Sequence, residues 1–162
     1  MALSSSGVGG YSEVVKTVMR IVIIEAAAPI AKELFKLLID RNELGKVHRF
    51  QWTITNWFRT NYYYQTSNWR AKWESEGGGV LINQSIHQLD LCQWLFGMPD
   101  SIYTDLGLGR FHTIEVEDEV TSIFKYSNGL KGVFITTTGE APGVNRLEIA
   151  CLLYTSDAAD EE

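Results

Sequence analysis

Cysteine, proline and long apolar runs are all scarce in this sequence. With two cysteines and three prolines in 162 residues, the chain has no disulfide framework and no cysteine spacing typical of a metal site. Its stretch Met19–Ile24, apolar apart from Arg20, is followed by Glu25 and is far shorter than the roughly 18 residues that a membrane helix needs. The N-terminus lacks the basic region of a signal peptide. These absences favour a domain outside the membrane in a reducing compartment, the cytoplasm.

A large charge of one sign is also missing from most of the chain. The formal charge is -6, but four of the 20 acidic residues lie in the last twelve positions. The remaining chain is nearly neutral and has no electrostatic footprint for nucleic acid or for an anionic membrane surface. With 45% hydrophobic and 12% aromatic residues, it can bury the core of one domain.

The most informative stretch is the triple glycine Gly77–Gly79 with the apolar sequence after it. At 100° per residue, a continuous helix would align Asn83, His87, Asp90 and Trp94 in one narrow stripe. Isoleucines and leucines flank this stripe on both sides, which predicts a mostly buried helix whose polar groups need partners or a water-lined cleft. The spacing alone fits a satisfied core histidine as well as it fits the wall of an active site.

The segment Gly77–Pro99, GGGVLINQSIHQLDLCQWLFGMP, resembles the signature of the glucose–fructose oxidoreductase / inositol dehydrogenase (Gfo/Idh/MocA) family. In that family a glycine run precedes Asp or Asn, then three residues and His. The resemblance extends from about Ala31 to Ala150 and is to the C-terminal substrate-binding domain. No stretch resembles the family's Rossmann domain, because Gly7–Gly10 follows no strand and lacks the dinucleotide-binding spacing. No cofactor-binding or metal-binding residue is therefore predicted in this chain.

The resemblance divides the chain into three parts. Residues 1–28 are a divergent or non-native segment, and residues 29–150 are a truncated C-terminal domain, a fragment of the parent enzyme. Residues 151–162, CLLYTSDAADEE, resemble an in-frame translation of a transposon-end sequencing adapter, and we interpret them as read-through that lies outside the fold. A solvated acidic tail is the alternative.

The hydrophobic periodicity predicts an α+β domain, with an open, mainly antiparallel sheet and helices packed on one face. Residues 12–24 suit either a helix or a buried strand, whereas residues 30–41 form an amphipathic helix. Phe50, Trp52 and Ile54 alternate with polar residues and predict a strand. Further strands are expected at 102–108, 120–126 and 130–138, with Asn128-Gly129 as a hairpin turn.

Residues 56–76 are predicted to form a long loop, called here the aromatic loop. Its tryptophans, tyrosines and arginines suit stacking on sugar rings and hydrogen bonding to hydroxyls, although each could simply pack on the domain. The candidate substrate contacts are Arg59, Tyr63, Trp69 and Arg70 in this loop, together with Asp90. His48 and His112 match no motif and are interpreted as surface or pocket-rim residues.

The resemblance implies that the parent enzyme oxidises or reduces a hydroxyl–ketone pair of a sugar, polyol or related small molecule, using NAD or NADP held by a Rossmann domain. His87 is the candidate general acid/base, and Asn83 would hold the same hydroxyl or orient the imidazole. Many family members have Asp at the Asn83 position. The family's open sheet often mediates homo-oligomers. Two alternatives stay open: a non-catalytic sugar-binding or dimerisation module, and an NAD-dependent glycosidase on the same scaffold.

Overall fold

The computed structural model describes residues 15–24 and 29–155. These ranges contain six strands and four helices: β1 (Val15–Ile24), α1 (Pro29–Asp40), β2 (Lys46–Ile54), α2 (Asn61–Gln65), α3 (Val80–Asn83), α4 (Ile86–Phe96), β3 (Ser101–Leu108), β4 (Glu117–Lys125), β5 (Lys131–Thr137) and β6 (Asn145–Thr155). No helix within them has the length and apolar character needed to cross a bilayer. The glycines at 7–10 and the acidic end of the chain lie outside the described residues.

The strands form one open sheet in the order β1-β6-β2-β5-β4-β3. β2 and β5 run parallel, and the other four neighbouring pairs are antiparallel. Helices α1 and α4 both contribute side chains to the hydrophobic core on one face of the sheet. The predicted α+β architecture, an open and mainly antiparallel sheet with helices on one face, is confirmed.

The alternation along β2 sets the core. Phe50, Trp52 and Ile54 are buried, and their polar neighbours lie on the other face of the sheet. The Phe50 ring stacks on Phe96 of α4, with a centroid separation of 4.1 Å. Gly132 on β5 leaves room for this ring, because a Cβ there would lie 2.2 Å from Phe50 Cζ. The strand pattern read from the sequence therefore fixes where α4 sits.

The predicted hairpin at Asn128-Gly129 is present between β4 and β5. Gly129 has a φ of +87°, a left-handed conformation that glycine adopts without strain. The Asn128 side chain accepts a hydrogen bond from the Leu130 amide at 3.0 Å. The turn pairs the two strands antiparallel over Glu119–Lys125 and Lys131–Thr137.

The two ends of the described chain are joined in the sheet. The ambiguous N-terminal stretch is a strand, β1, and it pairs antiparallel with β6. β6 does not stop at Ala150 but continues to Thr155, and Cys151 is fully buried opposite Val47 of β2. The expectation that residues from 151 onward lie outside the fold is wrong for residues 151–155. Their proposed origin as read-through stays a prediction.

Candidate functional site

The glycine run is fixed against the start of β4 by a buried carboxylate. Glu117 Oε1 accepts hydrogen bonds from the amides of Gly79 (2.9 Å) and Leu81 (3.1 Å). The approach is so close that a Cβ on Gly79 would lie 2.0 Å from the Glu117 carbonyl oxygen. Glu117 therefore already accepts the hydrogen bonds of two amides at the start of α3, where a dinucleotide phosphate would need free N–H groups. These residues do not fit a pyrophosphate.

The predicted continuous helix is broken after Asn83. Gln84 and Ser85 separate α3 from α4, and the buried Ser85 hydroxyl donates to the Val80 carbonyl oxygen at 2.8 Å. The break divides the stripe calculated for one continuous helix between α3, which carries Asn83, and α4, which carries the other three members. The prediction of a mostly buried helix is also wrong for this stripe, whose four members are all exposed: Asn83, His87, Asp90 and Trp94.

Asn83 is held from two sides. Its Nδ2 donates to Glu76 Oε1, and its Oδ1 accepts from Gln84 Nε2 at 2.9 Å. The other Glu76 oxygen accepts from the Ala71 amide at 2.5 Å. Glu76 thereby ties the end of α3 to the aromatic loop. The carboxylate of Glu76 explains why an amide suits position 83 in this chain, since Asp would face it with a like charge.

Four of the candidate substrate contacts form one stack, called here the cation stack. The Arg59 guanidinium carbon lies 5.0 Å from the centre of the Tyr63 ring, and the Arg70 guanidinium carbon lies 4.6 Å from it. Arg70 also lies 4.9 Å from the centre of the Trp69 ring. Cation–π contacts of this kind order both the rings and the guanidinium groups. The structure thus brings together Arg59, Tyr63, Trp69 and Arg70.

The aromatic loop borders two cavities. The larger, called here the loop cleft, measures about 320 Å³ and lies between the loop and residues 113–115, with Arg70 and Lys72 in its lining. The smaller has no room for a water molecule, and it brings Asn83 together with Tyr63 and Arg70. Burial raises the pKa of Tyr64, which borders both cavities and donates to Thr138 Oγ1 at 3.1 Å. The Tyr64 hydroxyl is therefore neutral near pH 7, and its hydrogen is engaged by Thr138.

His87 and Asp90 lie apart from these cavities. His87 is exposed at the start of α4 and does not line either one. Asp90 borders a third cavity of about 310 Å³, mainly apolar, between α4 and β3. Within the part of the chain that the structure describes, no three His, Cys, Asp or Glu side chains are grouped as a metal site.

His112 is buried, so its interpretation as a surface or rim residue is wrong. Its Nδ1 lies 2.9 Å from Asp118 Oδ2, and its Nε2 lies 2.8 Å from the Arg59 carbonyl oxygen. Asp118 is fully buried and accepts three more hydrogen bonds, from the amides of Arg110, Phe111 and His112. The pair therefore fastens the aromatic loop, through Arg59, to the start of β4.

Sequence reasoning missed Glu117 and Asp118. The sequence feature that could have indicated them is the pair of adjacent acidic residues just before a predicted strand, within Glu115–Val120. Acidic residues at such a position are ordinarily interpreted as surface charge. His48, the third histidine, is half-buried on β2 and lines none of these three cavities.

Comparison with known proteins agrees with this fold. The family model described as the GFO/IDH/MocA C-terminal domain matches residues 33–152. No curated protein resembles the chain closely enough in sequence to count as a match. Among solved structures, the WlbA dehydrogenase from Bordetella pertussis, in complex with NADH and UDP-GlcNAcA, is 30% identical over 68% of this chain and 34% of its own chain, with a TM-score of 0.63.

Two further structures share the architecture. Levoglucosan dehydrogenase, in complex with NADH and levoglucosan, is 20% identical over 79% of this chain and 41% of its own, with a TM-score of 0.62. An oxidoreductase from Thermotoga maritima is 20% identical over 78% of this chain and 42% of its own, with a TM-score of 0.64. At this identity both show the fold alone. The chain spans about a third of the WlbA enzyme, and the matched residues 33–152 establish that it belongs to the Gfo/Idh/MocA family of oxidoreductases, with the fold of their C-terminal domain.

Proposed function

We propose that this chain is the substrate-binding part of an NAD(P)-dependent oxidoreductase that acts on a hydroxyl or ketone group of a sugar, polyol or related small molecule. The cation stack is the observation that carries this proposal. Arg70 of the stack lines the loop cleft together with Tyr64, and Tyr63 and Arg70 of the stack lie beside Asn83. Rings that stack on a sugar face and groups that hydrogen-bond its hydroxyls are what a carbohydrate site needs. The sugar ligands of the WlbA and levoglucosan enzymes support the same substrate class.

His87 is the proposed general acid/base. Oxidation of an alcohol requires removal of the hydroxyl proton, and imidazole is suited to this near neutral pH. The His87 ring is exposed and makes no hydrogen bond to any side chain or backbone group that the structure describes. Beside it, Ile82 and Ile86 are 50% and 44% exposed. We propose that a nucleotide-binding domain covers this apolar surface and brings the substrate to His87.

We infer that the cofactor, NAD or NADP, binds to a domain other than the described one. Glu117 already occupies the amides at the start of α3, so this glycine run is not offered as a phosphate site. The NADH complexes of the relatives support a nicotinamide cofactor for the parent enzyme. In the proposed reaction the described residues bind and orient the substrate and move the hydroxyl proton.

The test needs this chain joined to its upstream nucleotide-binding domain. His87→Ala should lower kcat for sugar oxidation by roughly 10²–10⁴-fold, the usual contribution of a general base. Nicotinamide binding, measured by fluorescence, should change little because the proposal assigns it elsewhere. His48→Ala is the matched control, since His48 borders none of the cavities near α4 or the aromatic loop.

A near wild-type kcat for His87→Ala across the pH range would refute the assigned role of His87. Sugar binding without any NAD(P)-dependent turnover, in the joined protein, would favour a non-catalytic binding module instead. Release of a sugar from a glycoside without net change in NAD(P)H would favour the glycosidase alternative.

We also propose that the open face of the sheet forms a contact between copies of this chain. Tyr103 and Ile123 are paired neighbours on β3 and β4 and are 58% and 45% exposed. Neighbouring apolar side chains on an uncovered sheet face are typical of an oligomer interface. Ile123→Glu should lower the mass measured by light scattering. Leu34→Glu, on the exposed side of α1, should leave it unchanged, and equal masses for both variants would oppose this interface.

The proposed location is the cytoplasm. Cys92 and Cys151 are both free and buried. Buried free thiols are compatible with a reducing compartment. Fractionation of cells that express the tagged protein would check this.

A further inference from the structure

The loop cleft is lined by two cations, Arg70 and Lys72, and by one carboxylate, Glu115, so its charge is net positive. Arg70 and Lys72 both line it, and neither forms an ion pair with a carboxylate of the described residues. The cleft also contains the side chains of Ser67 and Thr113, whose hydroxyls can donate or accept hydrogen bonds. Two cations beside hydroxyl groups form a setting suited to an anion.

Arg70 is held in a fixed position. Its guanidinium carbon lies 4.6 Å from the centre of the Tyr63 ring and 4.9 Å from the centre of the Trp69 ring. The Nε atom is buried and has no hydrogen-bond partner among the described residues. Because the guanidinium group is planar, its N–H groups donate along its edge, and the two nearby rings help to hold that plane in place. An ordered edge of this kind matches the two oxygens of a carboxylate or phosphate.

The nearby carboxylates accept hydrogen bonds from neutral amide groups. Glu115 lines the cleft, but its Oε1 accepts from the Trp73 amide at 2.7 Å. Glu76 accepts from Asn83 and from the Ala71 amide. Neither carboxylate lies within ion-pair distance of Arg70 or Lys72. The two cations outnumber the one carboxylate of the cleft and form no ion pair with it, which leaves net positive charge for an external anion.

We propose that Arg70 and Lys72 form an anion subsite, which holds a carboxylate or phosphate group of the ligand in the loop cleft. The substrate class is accordingly an acidic sugar, a uronic acid or a sugar phosphate, and not a neutral sugar. This inference rests on the proposed function, since it names the substrate class of the same site. The anionic group is not the reacting centre, because His87 does not line this cleft. The subsite orients the sugar ring against the cation stack.

Titration of the 162-residue chain, followed by amide NMR spectra, tests the subsite. The probes are D-glucuronate, glucose 6-phosphate, inorganic phosphate and neutral D-glucose. Glucuronate, glucose 6-phosphate or both should shift the amide signals of residues 64–72 and 113–115, and glucose should bind roughly 10-fold more weakly or not at all. Preference for glucose 6-phosphate and inorganic phosphate identifies a phosphate ligand, and preference for glucuronate identifies a carboxylate.

Substitution separates the subsite from general surface charge. Arg70→Gln and Lys72→Gln should each weaken the acidic sugar roughly 10-fold without weakening any residual glucose binding. Lys131→Gln is the matched control, because Lys131 lies on β5 and lines none of the three cavities. Arg70→Lys keeps the charge but loses the planar edge, so it should also weaken binding, and its amide spectrum reports whether the fold is kept.

Equal affinity for glucuronate, glucose 6-phosphate and glucose would overturn the subsite, as would unchanged affinity in Arg70→Gln or signal shifts confined to other residues. The failure of the proposed function has a different signature. In the joined enzyme, turnover of neutral sugars with no preference for acidic ones would leave the oxidoreductase proposal intact and refute the subsite. Acidic-sugar binding without NAD(P)-dependent turnover would support the subsite and refute the oxidoreductase proposal.

Discussion

Asp118→Asn is expected to cost about 3–5 kcal/mol of the free energy of unfolding. The carboxylate is fully buried; Oδ1 accepts from the Arg110 amide, and Oδ2 accepts from the Phe111 and His112 amides and faces His112 Nδ1. An amide group can supply only one accepting oxygen. In the variant, an oxygen at the Oδ2 position keeps three hydrogen bonds, each weakened by loss of the negative charge. The side-chain NH₂ group then faces the Arg110 amide, which loses its acceptor.

The magnitude follows from these four contacts. Leaving the Arg110 amide buried without a partner costs about 1–3 kcal/mol, and each weakened bond costs roughly 0.5–1 kcal/mol more. A loss of about 3–5 kcal/mol is a large part of the 5–15 kcal/mol typical of a domain. It should therefore be visible as a lower urea midpoint at an unchanged slope.

Glu119→Gln makes the same chemical change one residue further along. Glu119 forms a partly exposed ion pair with Arg110, and such surface pairs contribute about 0–1 kcal/mol. Equilibrium urea unfolding of both variants, followed by tryptophan fluorescence, should separate them clearly. If Asp118→Asn falls within about 1 kcal/mol of the wild type, the proposed fastening of the aromatic loop by this carboxylate is wrong.

Three further predictions concern stability. Deletion of residues 151–162 should lower the thermal midpoint by several degrees, on the order of 2 kcal/mol, because Cys151 is buried and paired with two strands; a cut after Thr155 is the control, and equal midpoints for the two would contradict the packing of β6. Burial raises the pKa of Cys92 from 9.0 to about 12. The buried neutral thiol therefore contributes fully to stability below pH 9, and this contribution is lost as the pH rises through 12. Cys92→Ala should flatten this alkaline decline in stability, measured by urea unfolding. Asn83→Asp should cost on the order of 1 kcal/mol, because it places a second carboxylate against Glu76, and Glu76→Gln in the same chain should restore the loss; a tolerated Asn83→Asp single variant would remove this explanation for the amide.

Elements whose burial pattern is local were predicted correctly. The alternation of Phe50, Trp52 and Ile54 carries the identity of β2, and the turn at Asn128-Gly129 sets the pairing of β4 with β5. In both cases the deciding interactions lie within one strand or one turn. Leu147, Ile149 and Cys151 of β6 show the same alternation of buried residues. Residues from 151 onward were nevertheless predicted to lie outside the fold, because the tail resembles an adapter.

The site was predicted less completely because its arrangement depends on residues far apart in the chain. Nothing near Gln84 and Ser85 breaks a helical pattern, so the turn between α3 and α4 has no local signal. The partners of Glu117 are the amides of Gly79 and Leu81, which lie 38 and 36 residues earlier, and periodicity carries no information on such a pairing. The aromatic loop was identified by composition, which gave the members of the cation stack but not their order.

The pairing of β2 also constrains how the chain can fold. Arg49 pairs with Lys131 of β5 and Trp52 with Leu147 of β6, so both neighbours of this central strand come roughly 80 to 95 residues later. Loops of that length must close before these strands can form their hydrogen bonds, so the high contact order predicts slow folding. A nascent or truncated chain that ends before β5 would leave both edges of an apolar strand unpaired and open to aggregation. The aromatic loop lies inside this closure, so the binding surface can reach its final arrangement only after the last strands have been added.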